Sequence, residues 1–240
     1  MEITYIYHSG FLITTDKVHI IVDFYEDSPY LGNSVTDRVL ADRNRKIYVL
    51  SSHSHYDHFY PGILKWKEQR EDITYIFSKE IMDERRLRND IAVWLDKNDT
   101  YQDRMLTIKA YGSTDIGISF LIEIEGRTLF HAGDLNNWHW MDESPEEEWR
   151  RDEAFFLREM EDIRKEHISI DVVMFPVDPR LGKEYMRGAA QFIEMINTGL
   201  FIPMHFGEEY AAANAFQKHA RNKGVTSPDI KQKNQVFSII

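Results

Sequence analysis

The first fifty residues alternate between short apolar runs and polar breaks, a pattern typical of β-strands separated by turns. Three runs are rich in β-branched and aromatic residues, and a fourth is a compact apolar run suited to a strand that is covered on both faces. The predicted strands are Ile3–Tyr7, Phe11–Thr14, Val18–Asp23 and Ile47–Ser51. We therefore predict that the chain begins with a β-sheet.

Further along the chain, strand patterns alternate with helical ones. The further predicted strands are Ile73–Phe77, Leu106–Ala110, Ile118–Ile124, Thr128–His131, Ile170–Phe175, Leu200–Pro203 and Val236–Ile240. The predicted helices are Ile63–Gln69, Lys79–Leu87, a long helix beginning at Ser144-Pro145, and residues 185–197 and 209–223. No linker rich in Gly, Ser or Pro divides the chain, so we expect one domain, residues 1–240, of the α/β or α+β class with helices outside mixed sheets.

The clearest helical pattern lies in the long helix. Ser144 is predicted to cap it, with Glu147 completing a Ser-x-x-Glu capping box. Apolar residues then recur at spacings of seven, four and three, which places them on one face of a helix that runs to about His167. These residues are Trp149, Phe156, Met160 and Ile163.

Composition excludes several kinds of partner and chemistry. With 29 Lys plus Arg against 40 Asp plus Glu, the net charge of −11 argues against binding to nucleic acid or to an anionic membrane surface. The absence of Cys excludes disulfides, thiolate nucleophiles and Cys-ligated metals. The first residues have neither a cationic segment nor an uninterrupted apolar one, so we expect no secretory signal and a cytoplasmic location.

Candidate chemistry is concentrated directly after the predicted strand Ile47–Ser51. His53, His55, Asp57 and His58 form the pattern His-x-His-x-Asp-His within six residues. A loop leaving a strand can turn these side chains into one small space, where imidazole and carboxylate groups bind divalent metals. Two ions could share the set, with His53 and His55 on one and Asp57 and His58 on the other. The alternative is a polar loop in a chain that happens to contain ten His.

This sequence resembles the metallo-β-lactamase superfamily from about residue 3 to about residue 210. The matching elements are Asp23 at the end of an early strand, the segment 53–58, Asp134 after a later strand, and His205 near another strand end. The resemblance implies a four-layer αββα sandwich of two mixed β-sheets flanked by helices, with metals on loops at one edge. It further implies that Asp23 supports the metal loop, that Asp134 bridges two ions and that His205 is a ligand.

The chain departs from that family at one ligand. The family usually supplies a His about twenty residues before the bridging Asp, whereas this sequence has no His between residues 59 and 130. Asp115 lies nineteen residues ahead of Asp134 and is the candidate replacement. A carboxylate ligand would shift the preference towards Mn, Mg or Fe without excluding Zn. Alternatively, Asp115 only caps a turn, or the first site is half-formed.

Four other residues remain open at this stage. His8 closes the first strand, where it is either a structural hydrogen-bond donor or a site residue like one in lactonase-like members of the superfamily. His139, between Trp138 and Trp140, belongs either to an aromatic wall over a pocket or to the core. Asp178 and Arg180 follow a strand, and Arg180 either binds an anionic group or lies in a surface turn.

The resemblance implies a metal-dependent hydrolase with two divalent ions, Zn or Mn with Fe possible, that activate water against a small-molecule ester, lactone or phosphoester. Asp57 is the expected catalytic residue, ligating metal and orienting the water. The His8 segment points to the branch that includes ascorbate-6-phosphate lactonase. One alternative is a non-catalytic, metal-binding or degenerate member that serves as a sensor or interaction module. Another is an oxidoreductase that uses iron at the same ligands.

Overall fold

The structure is a computed structural model that describes residues 1–27 and 34–239. The chain forms two compact units, Met1–Asp96 with Lys231–Ile240, and Lys97–Ile230. Each unit contains one mixed β-sheet with helices, which confirms the predicted α/β class with two mixed sheets flanked by helices. The single domain over residues 1–240 stays a prediction.

The first unit contains a seven-stranded sheet in the order β13-β1-β2-β3-β4-β5-β6. Strands β13, β1, β2 and β3 pair antiparallel, whereas β3, β4, β5 and β6 run parallel. The strands are β1 (Glu2–Tyr7), β2 (Gly10–Thr14), β3 (Val18–Val22), β4 (Lys46–Ser51), β5 (Thr74–Ser78), β6 (Val93–Leu95) and β13 (Gln235–Ser238). The helices are α1 (Val35–Ala41), α2 (Lys79–Glu84) and a 3₁₀ segment, Pro61–Glu68.

The second unit contains a six-stranded sheet in the order β12-β11-β10-β9-β8-β7. Strands β10, β11 and β12 run parallel, and β7 to β10 pair antiparallel. The strands are β7 (Thr100–Gln102), β8 (Leu106–Tyr111), β9 (Ser119–Ile124), β10 (Arg127–His131), β11 (Ser169–Pro176) and β12 (Asn197–Met204). The helices are α3 (Glu146–Glu166), α4 (Arg187–Met195), α5 (Tyr210–Asn222) and a 3₁₀ segment, Pro179–Glu184.

Most predicted strands are present with small shifts at their ends, because long apolar runs are buried in both sheets. Strand β3 is buried along its whole length, and β4 is buried from Ile47 onwards. The predicted hairpin between β9 and β10 is also present, with Glu125 and Gly126 in left-handed conformations at φ 51° and 74°. The last predicted strand ends at Ser238, and Ile240 lies outside the described residues.

Three predicted details of the helices are wrong. Helix α3 begins at Glu146 with Pro145 as its N-cap and no side-chain cap bond, so the Ser144–Glu147 capping box is absent. The reason is that the Ser144 N–H closes the preceding turn onto the Trp140 carbonyl at 2.8 Å, one residue ahead of the cap. The segment predicted as helix Ile63–Gln69 is a 3₁₀ helix. Helix α2 ends at Glu84, before Arg86 adopts a φ of 51°.

The apolar stripe of α3 is buried as predicted at Phe156, Met160 and Ile163. Among the residues that the structure describes, no helix is long and apolar enough to cross a membrane. In the first unit, the helices pack their apolar residues on one side of the sheet, where Val39, Ile63 and Ile81 join the core with Val49 and Phe77. This packing fixes the strand ends that carry the candidate site.

Candidate metal centre

In the first unit, Asp23 and Ser52 follow neighbouring parallel strands. Val22 of β3 pairs with Leu50 of β4, so the carboxyl ends of both strands meet at one edge of the sheet. Asp23 adopts a left-handed conformation with φ 47°, and its N–H donates to the Leu50 carbonyl at 3.0 Å. This bond continues the sheet for one residue and fixes the Asp23 side chain at the start of the histidine loop, residues 52–58.

Asp23 is a buried acceptor for that loop. It accepts hydrogen bonds from the Ser52 N–H and from the Ser52 hydroxyl, each at 2.7 Å. Its second oxygen also lies 2.7 Å from Nδ1 of His58, which is itself fully buried. Because an ionised carboxylate only accepts, Nδ1 of His58 carries the proton and Nε2 keeps its lone pair. Asp23 therefore supports the metal loop, as the resemblance implied, and leaves His58 in the tautomer that binds metals.

His53 is oriented through Ser52. The Ser52 hydroxyl donates to Asp23 and lies 3.0 Å from Nδ1 of His53, so it accepts the Nδ1 proton of His53. Nε2 of His53 then faces Nδ1 of His55 at 3.0 Å. Two nitrogens that each lie about 2.0–2.1 Å from one tetrahedral ion are separated by roughly 3.3 Å, close to the observed distance. This spacing suits His53 and His55 as ligands of the same ion.

His8 lies beside Asp57. Its Nε2 is 3.3 Å from Asp57 Oδ2, and its ring centroid lies 6.2 Å from that of His58. One ligand atom from each of these three residues lies within 4.8 Å of the others. The His8 backbone is held in a left-handed conformation with φ 56°, and its N–H donates to the Tyr5 hydroxyl at 3.0 Å. The structure therefore brings His8, which the sequence left open, together with the histidine loop.

Two residues that the sequence analysis missed hold the middle of the loop. Glu80 of α2 accepts from the Ser54 N–H at 3.0 Å and also from the Ser54 hydroxyl, and Arg85 donates to the Ser54 carbonyl. Burial raises the pKa of Glu80, although its bonds from Ser54 act in the opposite direction. These contacts fix the backbone between His53 and His55. No sequence signal indicates them, because Glu80 is 26 residues from Ser54.

In the second unit, three candidate residues follow three adjacent parallel strands. Asp134 follows β10, Asp178 follows β11 and His205 follows β12, and Pro176 pairs with Met204 at the ends of the last two strands. His205 Nε2 lies 3.3 Å from Asp134 Oδ1, and its Nδ1 lies 2.9 Å from Asp178 Oδ2. The parallel register thus brings Asp134, Asp178 and His205 together. The roles of Asp134 and His205 as ligands stay predictions.

Asp178 is buried and orients His205. Arg180 binds its carboxylate with a forked contact, in which Nε lies 3.0 Å from one oxygen and 2.9 Å from the other. Burial acts to raise the pKa of Asp178, but the hydrogen bonds from His205 and Arg180 overcome it and lower the pKa to about 2. Asp178 is therefore ionised and accepts the Nδ1 proton of His205, so that Nε2 keeps its lone pair. Arg180 thus binds a carboxylate of its own chain.

Asp115 lies in an exposed turn after β8. Its N–H donates to the Ser113 hydroxyl at 3.3 Å, and Thr114 donates to the Asn136 carbonyl at 2.6 Å. One carboxylate oxygen of Asp115 and one of Asp134 lie within 4.8 Å of each other. The turn is therefore tied to the loop that carries Asp134. Whether Asp115 is a ligand stays a prediction.

Trp138 and His139 have different roles, although they are adjacent. Trp138 donates from Nε1 to the Asp134 carbonyl at 2.8 Å and packs against the ring of His205 with centroids 5.5 Å apart. His139 is buried, with Nε2 at 3.2 Å from the Glu184 carbonyl and Nδ1 accepting from the Met141 N–H. Burial lowers the pKa of His139. Trp138 also stacks on Trp140, with ring centroids 6.4 Å apart, while His139 anchors the loop. An aromatic wall over a pocket stays a prediction.

A buried polar cluster behind Asp134 also escaped sequence analysis. Asn137 donates from its amide to Glu153 at 3.1 Å and to Gln191 at 2.9 Å, and Arg187 donates to the same Glu153 oxygen at 2.6 Å. Burial acts to raise the pKa of Glu153, but the hydrogen bonds that it accepts from Arg187, Gln191 and Asn137 lower it. The cluster ties the loop after Asp134 to α3 and α4. Gly188 of α4 faces the same loop.

Comparison with known proteins yields a family match and full-length relatives. A model of the β-lactamase superfamily domain matches residues 2–148. A "UPF0173 metal-dependent hydrolase" from Symbiobacterium thermophilum is 25% identical over 254 residues and covers 100% of both chains. A protein of the same name from Desulforamulus reducens is 24% identical, again over 100% of both chains. These relatives confirm the predicted enzyme class, a metal-dependent hydrolase.

Two solved structures share the fold. Igni18, a metallo hydrolase from the archaeon Ignicoccus hospitalis, superposes with a TM-score of 0.70 at 16% identity, covering 100% of this chain and 99% of that one. CmlA, a diiron β-hydroxylase from Streptomyces venezuelae, superposes with a TM-score of 0.68 at 15% identity, covering 99% of this chain and 54% of that one. These likenesses confirm the predicted fold.

Proposed function

Because the chain belongs to the β-lactamase superfamily domain family, we propose that it is a hydrolase with two divalent metal ions that cleaves a small-molecule ester, lactone or phosphoester. The proposed ligands of the first ion are His53, His55, Asp115 and Asp134. Those of the second are Asp57, His58 and His205, with Asp134 shared between the two ions.

One observation carries the proposal. In each unit a buried carboxylate accepts the Nδ1 proton of a buried histidine, Asp23 from His58 at 2.7 Å and Asp178 from His205 at 2.9 Å. This arrangement fixes the ring and leaves Nε2 with a lone pair, which is how proteins prepare histidine ligands. Histidine and carboxylate donors without Cys suit a divalent ion of borderline or harder character. The donor chemistry of the chain therefore fits the metals that the family implies.

For the metals we propose Zn or Mn, with Fe as the alternative. A set that contains Asp57, Asp115 and Asp134 offers three carboxylates, which moves the preference towards harder ions than an all-histidine set would. CmlA carries a diiron centre on the same fold, so the fold alone does not select the ion.

When bound, such ions lower the pKa of a coordinated water and polarise the group under attack. The residues of the chain supply orientation and exclusion of bulk water. We propose that Asp57 orients the attacking water through its carboxylate, next to the His8 ring at 3.3 Å. The ring of Trp138 packs against the ring of His205, which is buried. The proposed partner is a small molecule and not nucleic acid or a membrane, since the net charge is −11. A cytoplasmic location is part of the same proposal.

The metal content of protein purified without chelator tests the proposal. We expect two ions per chain in the wild type and about one in Asp115→Ala, because a lost ligand weakens the first site. Asp152→Ala, at a half-exposed aspartate on α3, is the matched control and should keep both ions. With added Mn or Zn, the wild type should hydrolyse generic esters or phosphodiesters, and Asp57→Ala should lose this activity.

Each other outcome has a defined meaning. Two ions in both the wild type and Asp115→Ala would agree with the proposed hydrolase, but would show that Asp115 belongs to a turn and is not a ligand. One ion or none in the wild type, even after metal is added, would reject the two-metal mechanism. It would favour a metal-binding module without catalytic activity.

A further inference from the structure

Three tyrosine rings form a row in the first unit, which we call the tyrosine row: Tyr7, Tyr25 and Tyr56. Tyr25 occupies the middle, stacked on Tyr7 with centroids 6.2 Å apart and planes at 28°. On its other side, Tyr25 meets the ring of Tyr56 edge to face, at 5.5 Å and 79°. Tyr56 is 70% exposed, so the row ends in an aromatic ring that is accessible to solvent.

Both ends of the row adjoin the proposed catalytic Asp57. Tyr56 lies between His55 and Asp57 in the histidine loop. Tyr7 immediately precedes His8, its ring 6.1 Å from the His8 ring, and His8 Nε2 lies 3.3 Å from Asp57. A molecule that contacts the row is therefore bound at the loop that carries Asp57, the residue to which we assign the orientation of water.

Tyr7, at the inner end of the row, contacts a lysine whose charge is balanced by a carboxylate. The ammonium group of Lys233 lies 3.6 Å from the centroid of the Tyr7 ring. The same ammonium group pairs with Glu26 at 2.9 Å, which balances its charge. The row thus offers aromatic faces and edges without an uncompensated charge, which favours a neutral ring as its occupant.

The exposure of Tyr56 differs from that of Tyr60, the next tyrosine in the chain. Tyr60 is 48% exposed, but its ring packs at 6.0 Å against Phe24, a member of the hydrophobic core. Tyr56 packs instead against Tyr25, which is only half-buried. A pre-positioned aromatic surface next to a reactive group is the usual make-up of a ligand site, in which apolar walls surround a few polar groups.

We propose that the tyrosine row binds an aromatic ring of the substrate, so that the esters or phosphoesters cleaved by this chain carry an aryl group. The inference rests on the proposed function, since it assigns a substrate class to the same site. In an ester, the water oxygen bonds to the acyl carbon, the acyl–oxygen bond breaks and a water proton goes to the leaving oxygen, which gives a carboxylic acid and an alcohol. In a phosphoester, the water oxygen bonds to phosphorus and a phosphorus–oxygen bond breaks, which gives a phosphate and an alcohol. The aromatic ring is not altered, and its contact with Tyr56 and Tyr25 positions the bond beside Asp57.

The test compares benzyl acetate with cyclohexylmethyl acetate, which match in size and differ in the aromatic ring. The ratio of kcat/KM for benzyl over cyclohexylmethyl should fall about 3- to 10-fold in Tyr56→Ala, the range expected for one aromatic pair, mainly through KM. Tyr56→Phe keeps the ring and should retain the ratio, as should the control Tyr60→Ala. A ratio that is unchanged in Tyr56→Ala, or that falls equally in Tyr60→Ala, would overturn the proposal.

A binding measurement separates this inference from the proposed function. Calorimetric titration of the metal-loaded protein with benzylphosphonate and cyclohexylmethylphosphonate gives the aromatic preference without turnover. If the wild type hydrolyses neither acetate, the proposed esterase activity fails, and the titration still decides on the row. A benzyl preference that disappears in Tyr56→Ala supports the row as an aryl site, whereas equal binding of the two phosphonates rejects it.

Discussion

Each unit contains a buried carboxylate that orients a histidine, but the two carboxylates have different additional partners. In the first unit, Asp23 orients His58, and in the second, Asp178 orients His205. Asp23 also accepts two hydrogen bonds from Ser52, whose hydroxyl in turn accepts from His53. One carboxylate therefore organises two histidines and the start of their loop in the first unit.

The carboxylate of the second unit has a different set of partners. Asp178 shares its oxygens between His205 and the guanidinium group of Arg180, which is 63% exposed. The charge of Asp178 is thus balanced from the solvent side, whereas that of Asp23 is met by dipolar donors inside the protein. This difference indicates that Asp23 combines support of the fold with orientation of ligands, while Asp178 mainly orients one ligand.

The largest effect is expected for Asp23→Ala. The substitution leaves Nδ1 of His58 and the Ser52 N–H buried without their acceptor, which should lower the free energy of unfolding by about 3 to 5 kcal/mol. Metal content should fall to near zero, because His53 and His58 both lose their orientation. Urea unfolding and elemental analysis measure the two effects. The exposed Asp16→Ala is the control, and a loss below about 1 kcal/mol would contradict a supporting role for Asp23.

A smaller loss of stability is expected for Asp178→Ala, about 1 to 3 kcal/mol, because the exposed Arg180 can turn to solvent. Metal affinity should nevertheless fall about 10- to 100-fold, as is typical when a partner of a metal-bound histidine is removed. Competition with a chelator measures this affinity. Asp178→Asn keeps an acceptor for His205 and should lose less. If Asp178→Ala costs as much stability as Asp23→Ala, the proposed division of roles is wrong.

The two units also differ in how far the sequence predicts their candidate site residues. His53, His55, Asp57 and His58 follow one apolar strand within six residues, so one local pattern indicates them all. Asp178 has no such pattern. Its role depends on the parallel register in which Pro176 pairs with Met204, which brings the ends of β11 and β12 side by side. Registers of this kind are set by packing across the whole sheet and leave no local signal.

The same contrast holds for the fold. The strands that correspond to long buried runs, such as β3 and β4, were predicted because burial on both faces requires apolar residues throughout. Strands β6 and β7 have only three residues each and are not predicted, since such short segments show no repeating pattern of apolar and polar residues. The N-cap of α3 was wrong by one residue, because the Trp140–Ser144 turn competes for Ser144.

Gly188→Ala tests whether packing positions the loop after Asp134 in the second unit, as hydrogen bonds to Asp23 position the histidine loop in the first. A Cβ at this position would lie 2.0 Å from Asn136 Oδ1 and 2.9 Å from the Asn137 backbone nitrogen, so the loop after Asp134 must move. We expect a loss of about 1 to 3 kcal/mol in the free energy of unfolding and a lower metal content. Glu194→Ala, on an exposed face of α4, should change neither. Full metal content in Gly188→Ala would show that this loop does not position Asp134.

The smallest effect, and one confined to stability, is expected for Asp42→Asn. Asp42 accepts from Arg45 and from the Asn44 N–H, lies 3.1 Å from His19 Nε2, and is not among the proposed ligands. The hydrogen bond from the Asn44 backbone, followed by that from Arg45, lowers the pKa of Asp42 to about 2. At pH 7, Asp42→Asn should lower the free energy of unfolding by about 1 kcal/mol and leave metal content unchanged.

The sign of the pH dependence follows from that lowered pKa. Because the folded protein holds the Asp42 proton less tightly than the unfolded chain does, the stabilisation is complete above about pH 5 and disappears as the pH falls towards 2. The difference in unfolding free energy between wild type and Asp42→Asn should therefore be constant from pH 7 to about pH 5 and shrink at pH 3. Urea unfolding across this range measures it. If Asp42→Asn loses as much metal as Asp178→Ala does, weakened folding alone would explain both losses. The comparison between the two orienting carboxylates would then be unsupported.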